Sequence, residues 1–220
     1  MYQHILFDLD GTLTDSSLGI TKSVAHALVA EGYPAPKLEE LTWVVGPPLR
    51  ESFLKLVNST DVAVADRLLA QYRTRFEPIG MFENEVYDGI PDVLQALIDH
   101  SCQLHLATSK PRVYAEQILE HFSLAPFFTT VAGAELDGSI ESKEDVIRTL
   151  LETAHLDRAT CIMVGDREHD VHGAAANGIA CVGVTYGFGT KSELLAAGAR
   201  CIVDSPRDLT RVLTGPQRFD

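Results

Sequence analysis

Positive charge is what this chain has least of. Its 220 residues carry 18 Lys and Arg against 31 Asp and Glu, a formal net charge of −13. Such a surface repels phosphate backbones and anionic headgroups, so neither nucleic-acid nor membrane binding is expected. Long apolar runs are missing too. None approaches the roughly 18 residues that a membrane span needs, and Met1-Tyr2-Gln3-His4 leads directly into Ile5-Leu6-Phe7-Asp8 with no basic segment or cleavage site. A cytoplasmic protein is expected. Cysteine is scarce: Cys102, Cys161, Cys181 and Cys201 lie far apart, in or beside apolar runs and without zinc-type pairing. They read as small core residues. Cys161 does begin a Cys-x5-Arg string ending at Arg167, the spacing of a tyrosine-phosphatase loop, but Asp166 inside that loop would repel a bound phosphate.

The remaining composition, 45% hydrophobic and 22% charged, is that of a globular protein. Strand-like runs precede turn residues at Ile5-Leu6-Phe7, Leu104-His105-Leu106-Ala107, Thr129-Thr130-Val131-Ala132, Cys161-Ile162-Met163-Val164, Cys181-Val182-Gly183-Val184 and Cys201-Ile202-Val203. Helical segments separate the later ones: Pro91 to His100, Pro111 to Phe122, Lys143 to Ala154 and Val171 to Asn177. Near-continuous apolar strands alternating with helices imply an α/β fold, a Rossmann-like parallel sheet covered on both faces. Ligands of such sheets bind beyond the carboxyl ends of the strands.

Residues 16–77 break this alternation, reading as consecutive helices without a strand. The expected organisation is a discontinuous α/β catalytic core, 1–15 with 81–220, and an inserted α-helical cap domain, 16–80. From Ser16 to Gly80 there are seven Lys or Arg and seven Asp or Glu. The insertion is therefore neutral, the core carries the whole negative charge, and a cation is expected where they meet.

Four constellations carry chemistry. In Phe7-Asp8-Leu9-Asp10-Gly11-Thr12-Leu13-Thr14, the period of a strand puts Asp8 and Asp10 on one side of its carboxyl end. Their mutual repulsion is relieved by a divalent cation, and hard oxygen ligands suit Mg²⁺; a plain Asp-Gly turn is the alternative. Leu106-Ala107-Thr108-Ser109-Lys110-Pro111 ends a strand in hydroxyl residues before a helix, where the Thr108 hydroxyl and the Ser109 N–H could bind phosphate or merely cap the helix. Lys143 opens a helix, where the macrodipole disfavours a cation. It either serves the Asp pair and a phosphoryl oxygen, or is a solvated surface lysine. Finally, Val164-Gly165-Asp166-Arg167-Glu168-His169-Asp170 ends a buried-type strand in Gly-Asp. If a helix starts there, Asp166 and Asp170 face the same way, Asp166 toward a metal and Asp170 orienting Lys143 or a metal water; Asp166 as a helix N-cap is the alternative.

All four sit where strand carboxyl ends gather in one parallel sheet. Together they resemble the haloacid dehalogenase-like hydrolases, through Asp8-x-Asp10, Thr108, Lys143 and Gly165-Asp166-x-x-x-Asp170. The phosphoglycolate-phosphatase-like branch is the nearest in look, through Thr108-Ser109-Lys110-Pro111 and Asp166-Arg167-Glu168-His169-Asp170. The resemblance implies a phosphoric monoester hydrolase in which Asp8 is the nucleophile and forms an aspartyl-phosphate. Asp10 is then acid and base, Lys143 a charge-offsetting catalytic residue, and Thr108 and Ser109 hold phosphate. Mg²⁺ is implied at Asp8, the Asp10 carbonyl oxygen and Asp166, with Asp170 behind it.

A small phosphomonoester is the expected partner, and a monomer or weak homodimer the expected assembly. 5′-Nucleotidases, sugar phosphatases and mutases resembling β-phosphoglucomutase share these motifs. A receiver-like domain or an inactive interaction module is the non-enzyme alternative. Gly187-x-Gly189 lacks the third glycine of a dinucleotide fingerprint, and Lys191-Ser192 lacks the spacing of a nucleotide loop. In the insertion, Val45-Gly46-Pro47-Pro48-Leu49-Arg50 is a stiff turn before a helix. It could present Arg50 to an anionic substrate, or leave Arg50 paired with Glu51 or another acid.

Overall fold

The computed structural model describes residues 2–215. Two compact units emerge, one formed by Met1–Thr14 with Val86–Asp220 and one by Asp15–Glu85.

The first unit is built on a six-stranded parallel sheet. In chain order its strands are His4–Phe7 (β1), Gln103–Pro111 (β4), Phe128–Ala134 (β5), Cys161–Gly165 (β6), Ala180–Val184 (β7) and Cys201–Val203 (β8), arranged in space as β5-β4-β1-β6-β7-β8. Each contains one of the short runs read as strands, and parallel pairing follows from burial on both faces. The connecting helices are Ile90–Asp99 (α4), Arg112–His121 (α5), Lys143–Thr153 (α6), Glu168–Ala176 (α7), Lys191–Ala197 (α8) and Pro206–Thr214 (α9). The α/β fold and its parallel sheet are thus as the sequence indicates. On one face, Leu6, Ala107, Met163 and Cys181 of the strands pack against Val146, Ile147 and Leu150 of α6, Val171 and Ala174 of α7 and Leu194 of α8. Fully buried side chains such as Leu6, Ile147, Leu150 and Leu194 contribute roughly 1.5–3 kcal/mol each to holding such layers together. Cys102, Cys161 and Cys181 are buried, and burial pushes the Cys161 thiol up to about 11, as inert core residues require.

The strand order positions the chemistry. From β1 the chain moves outward to β4 and β5, then returns to the other side of β1 as β6. The carboxyl ends of β1 and β6 therefore flank the point where the direction of winding reverses, the place where such sheets bind ligands. Register pairs Phe7 with Val164, so Asp8 and Gly165-Asp166 leave the sheet side by side.

Strand β1 stops at Phe7, and the chain then turns, with Thr12, Leu13 and Thr14 all donating to the Leu9 carbonyl. One local expectation needs correction. Helix α7 begins at Glu168 with Arg167 as its N-cap, so Asp166 lies before the helix and does not cap it. Asp166 and Asp170 converge because the chain folds back, not through helical spacing.

The second unit holds Ser17–Ala30 (α1), a 3₁₀ segment at Leu38–Val44, Leu49–Leu56 (α2) and Val62–Phe76 (α3). Its core is aromatic, with Tyr72 stacked on Phe76 at 4.9 Å and edge-on to Phe53 at 6.3 Å. Short strands Thr14–Asp15 (β2) and Glu85–Val86 (β3) pair where the chain leaves the first unit and returns to it.

Candidate active site

Asp8, Asp166 and Asp170 are buried together, with carboxylate oxygens that all lie within 4.8 Å of one another. Lys143 stands among them. Its Nζ is 2.7 Å from Asp8 Oδ1 and 2.8 Å from Asp170 Oδ1, and it donates to the Ala107 carbonyl at 2.9 Å. At 6% exposure it is not a solvated surface lysine. Ser142 caps α6 by accepting from Asp145 N–H, which fixes the first helical residue facing inward, and two carboxylates offset the unfavourable macrodipole there. Burial works against the charge on Lys143, yet Asp170 and Asp8 outweigh it and raise its pKa, so Lys143 stays an ammonium.

Glycines make this convergence possible. A Cβ on Gly165 would lie 2.2 Å from Asp170 Cγ, so only glycine lets Asp170 fold back over the strand end. Asp170 Oδ2 then accepts from Arg167 N–H at 3.1 Å. Asp166 is wrapped more tightly still, with 0% exposure. Its Oδ2 accepts from Phe188 N–H at 2.7 Å, and Cβ atoms on Gly11, Gly187 and Gly189 would each come within 2.2 Å of Asp166 or of the backbone packed on it. Gly11, at φ 84°, also makes the Asp-Gly turn. Gly187-x-Gly189, a poor dinucleotide signature, is thus part of this cradle. Its role was invisible in the sequence because its partner, Asp166, is 21 and 23 positions away.

Asp10 is held separately. Its Oδ2 is 2.7 Å from Lys110 Nζ, and both side chains are buried. Thr108 is buried beside them, with Oγ1 accepting from Lys110 N–H at 3.2 Å, and Ser109 is half-buried. Lys110 stood in the quoted hydroxyl string, but strand periodicity gave no reason to single it out. Arg50 belongs to the other unit, in the first turn of α2, where it pairs with Asp66 of α3.

Four buried carboxylates (Asp8, Asp10, Asp166, Asp170) face two buried ammonium groups (Lys110, Lys143), an excess of two negative charges when all are ionised. Burial pushes Asp8 up to about 6 and Asp166 well above the usual carboxylate range, in both cases with help from neighbouring acids. Among the described residues Asp166 Oδ1 has no hydrogen-bond partner. An all-oxygen donor set two positive charges short fits a hard divalent cation such as Mg²⁺.

The haloacid dehalogenase-like hydrolase profile matches residues 5–184. The chain belongs to this family. A 5′-nucleotidase from Pseudomonas aeruginosa is 47% identical over 195 residues, covering 89% of this chain and 88% of that protein. The tyrosine-protein kinase PtkA of Mycobacterium tuberculosis is 41% identical over 187 residues, 85% of this chain but 63% of that protein. A predicted phosphatase from Clostridium acetobutylicum superposes with a TM-score of 0.94 at 47% identity, covering 97% and 98% of the two chains. Phosphoglycolate phosphatases stand further off, at 26–28% identity. Among the described residues no helix is long and apolar enough to cross a membrane.

Proposed function

We propose that the chain is a Mg²⁺-dependent phosphatase that hydrolyses a small phosphomonoester through a phosphoryl-Asp8 intermediate. The observation that carries this reading is the buried cluster of Asp8, Asp166 and Asp170 around Lys143, at the winding-reversal point of the sheet. A carboxylate oxygen of Asp8 attacks phosphorus as the ester P–O bond breaks, and Asp10 gives a proton to the departing alkoxide. Water then attacks the phosphorus of phosphoryl-Asp8, Asp10 takes its proton, and the bond to Asp8 breaks to release phosphate. Lys143 offsets charge on the nucleophile and on the phosphoryl oxygens throughout, while Thr108 and the Ser109 N–H hold phosphate. Asp8, Asp166 and the Asp10 carbonyl would hold Mg²⁺, with Asp170 behind them, and the bound cation supplies charge stabilisation to the transferring group.

Among small esters, nucleoside 5′-monophosphates come ahead of 2-phosphoglycolate, since the relative at 47% identity is named a 5′-nucleotidase and the phosphoglycolate phosphatases are at 26–28%. The name of the mycobacterial relative makes transfer to tyrosine a second outcome to measure. The test is turnover of both esters in Mg²⁺ and in chelator, with trapping of labelled phosphoryl-Asp8. Asp8→Asn should abolish both turnover and label. Continued phosphate release from that variant, or label recovered on a tyrosine acceptor instead of in phosphate, would overturn the reading.

A further inference from the structure

We infer that Lys110 is the positioning residue for Asp10: it holds one carboxylate oxygen in place so that the other is left to exchange the proton. This rests on Asp10 serving as acid and base, as proposed above. The ion pair is buried at both ends, with Lys110 8% exposed and Nζ 2.7 Å from Asp10 Oδ2. Among the described residues the second oxygen, Oδ1, is buried without a hydrogen-bond partner. An aspartate on a turn beyond a strand end has free χ torsions. Fixing one of its oxygens to an ammonium removes that freedom, and orientation of a proton donor counts heavily in rate.

The backbone is shaped to deliver Lys110 inward. Strand β4 shifts register against β5 between Thr108 and Pro111, and such a bulge re-aims side chains near active sites. Gly133 of β5 lies opposite Thr108, and a Cβ there would be 2.6 Å from the Lys110 carbonyl and 2.8 Å from Arg112 N. The bulge therefore needs glycine across from it. Thr108 Oγ1 accepts Lys110 N–H from within the same turn. A lysine that only neutralised acid could come from any nearby element. This one sits on a distorted strand with a glycine cleared for it, and it pairs with Asp10 while Lys143 pairs with Asp8 and Asp170.

The experiment compares Lys110→Met, Lys110→Arg, Asp10→Asn and the double variant Asp10→Asn with Lys110→Met, on 4-nitrophenyl phosphate and on an alkyl phosphate with a poor leaving group. Lys110→Met should lower kcat for the alkyl ester at least about tenfold more than for the aryl ester, within the about 10²–10⁴-fold range of general acid catalysis. KM and the Mg²⁺ requirement should change little, and Lys110→Arg should recover most of the loss. In the Asp10→Asn background Lys110→Met should have no further leaving-group effect. Equal losses on both esters, or a Lys110→Met effect that persists in that background, would remove Lys110 from this role. An Asp10→Asn variant that itself shows no leaving-group preference would instead overturn the acid-base reading of Asp10. If Lys110→Met does not fold, Lys110→Gln supplies the same comparison.

Discussion

Replacing Lys143 with methionine keeps the side-chain stem and deletes the charge. The stem matters, because its Cγ lies over Gly173, where a glycine Cβ would approach it to 2.8 Å; methionine avoids opening a cavity there. Deletion takes the buried group from four carboxylates against two ammoniums to four against one, a net of −3 in place of −2. Asp8 and Asp170 lose the ammonium 2.7 and 2.8 Å away, and the Ala107 carbonyl loses its donor. Removing one partner of a buried pair costs about 3–5 kcal/mol, and at about 2–4 °C per kcal/mol the melting temperature should fall by roughly 10 °C. Added Mg²⁺ should raise the melting temperature of the variant by more than it raises that of the parent, because the variant has more uncompensated charge for a cation to relieve. In turnover, loss of a preorganised transition-state contact should lower kcat/KM by at least about 10²-fold, roughly 3 kcal/mol. Thermal unfolding with and without Mg²⁺, beside steady-state kinetics, reads all three. A stability change within about 0.5 kcal/mol, the range of surface substitutions, together with near-parental turnover, would refute the reasoning outright.

Gly187→Ala should push on the Gly11 carbonyl and Asp166, which a Cβ would approach to 2.2 and 2.6 Å, and so raise the Mg²⁺ dissociation constant by about tenfold or more; calorimetric titration beside Asp166→Ala, which should lose more, checks it. His105 is 1% exposed, and burial with His4 nearby pushes its pKa down from 6.5 to about 4. The unfolded chain therefore takes up a proton first, so stability from this group is complete above pH 6.5 and falls by up to about 3 kcal/mol toward pH 4. Urea unfolding across that range should be less steep in pH for His105→Gln than for the parent, and equal slopes would exclude the assignment. Arg50→Ala should raise KM for the best anionic substrate about tenfold, the value of a charged hydrogen bond, and leave kcat near parental; an unchanged KM would remove Arg50 from substrate binding.

The parallel sheet was legible from the sequence because its strands are buried on both faces and announce themselves as short apolar runs bounded by turn residues. The residues that gather at the sheet's carboxyl ends were legible for a related reason: Asp8, Thr108 and Asp166 stand directly after apolar runs, and Lys143 opens a helix where the macrodipole disfavours a cation. What brings them together was not. Helical spacing was the wrong account of Asp166 and Asp170, which meet because Gly165 lets the chain fold back. Strand period could not tell which lysine each of Asp8 and Asp10 would meet, because β1 ends at Phe7 and their partners, Lys143 and Lys110, come from distant segments. Lys110 was hidden because a bulge breaks the alternation by which side chains are assigned to faces, and the Gly187-Gly189 loop because its contact is with a residue two elements earlier. Periodicity is a local property of the chain, and so are the strands and motifs it revealed. Which carboxylate meets which ammonium depends on close approaches between distant segments, and only the tertiary structure decided those.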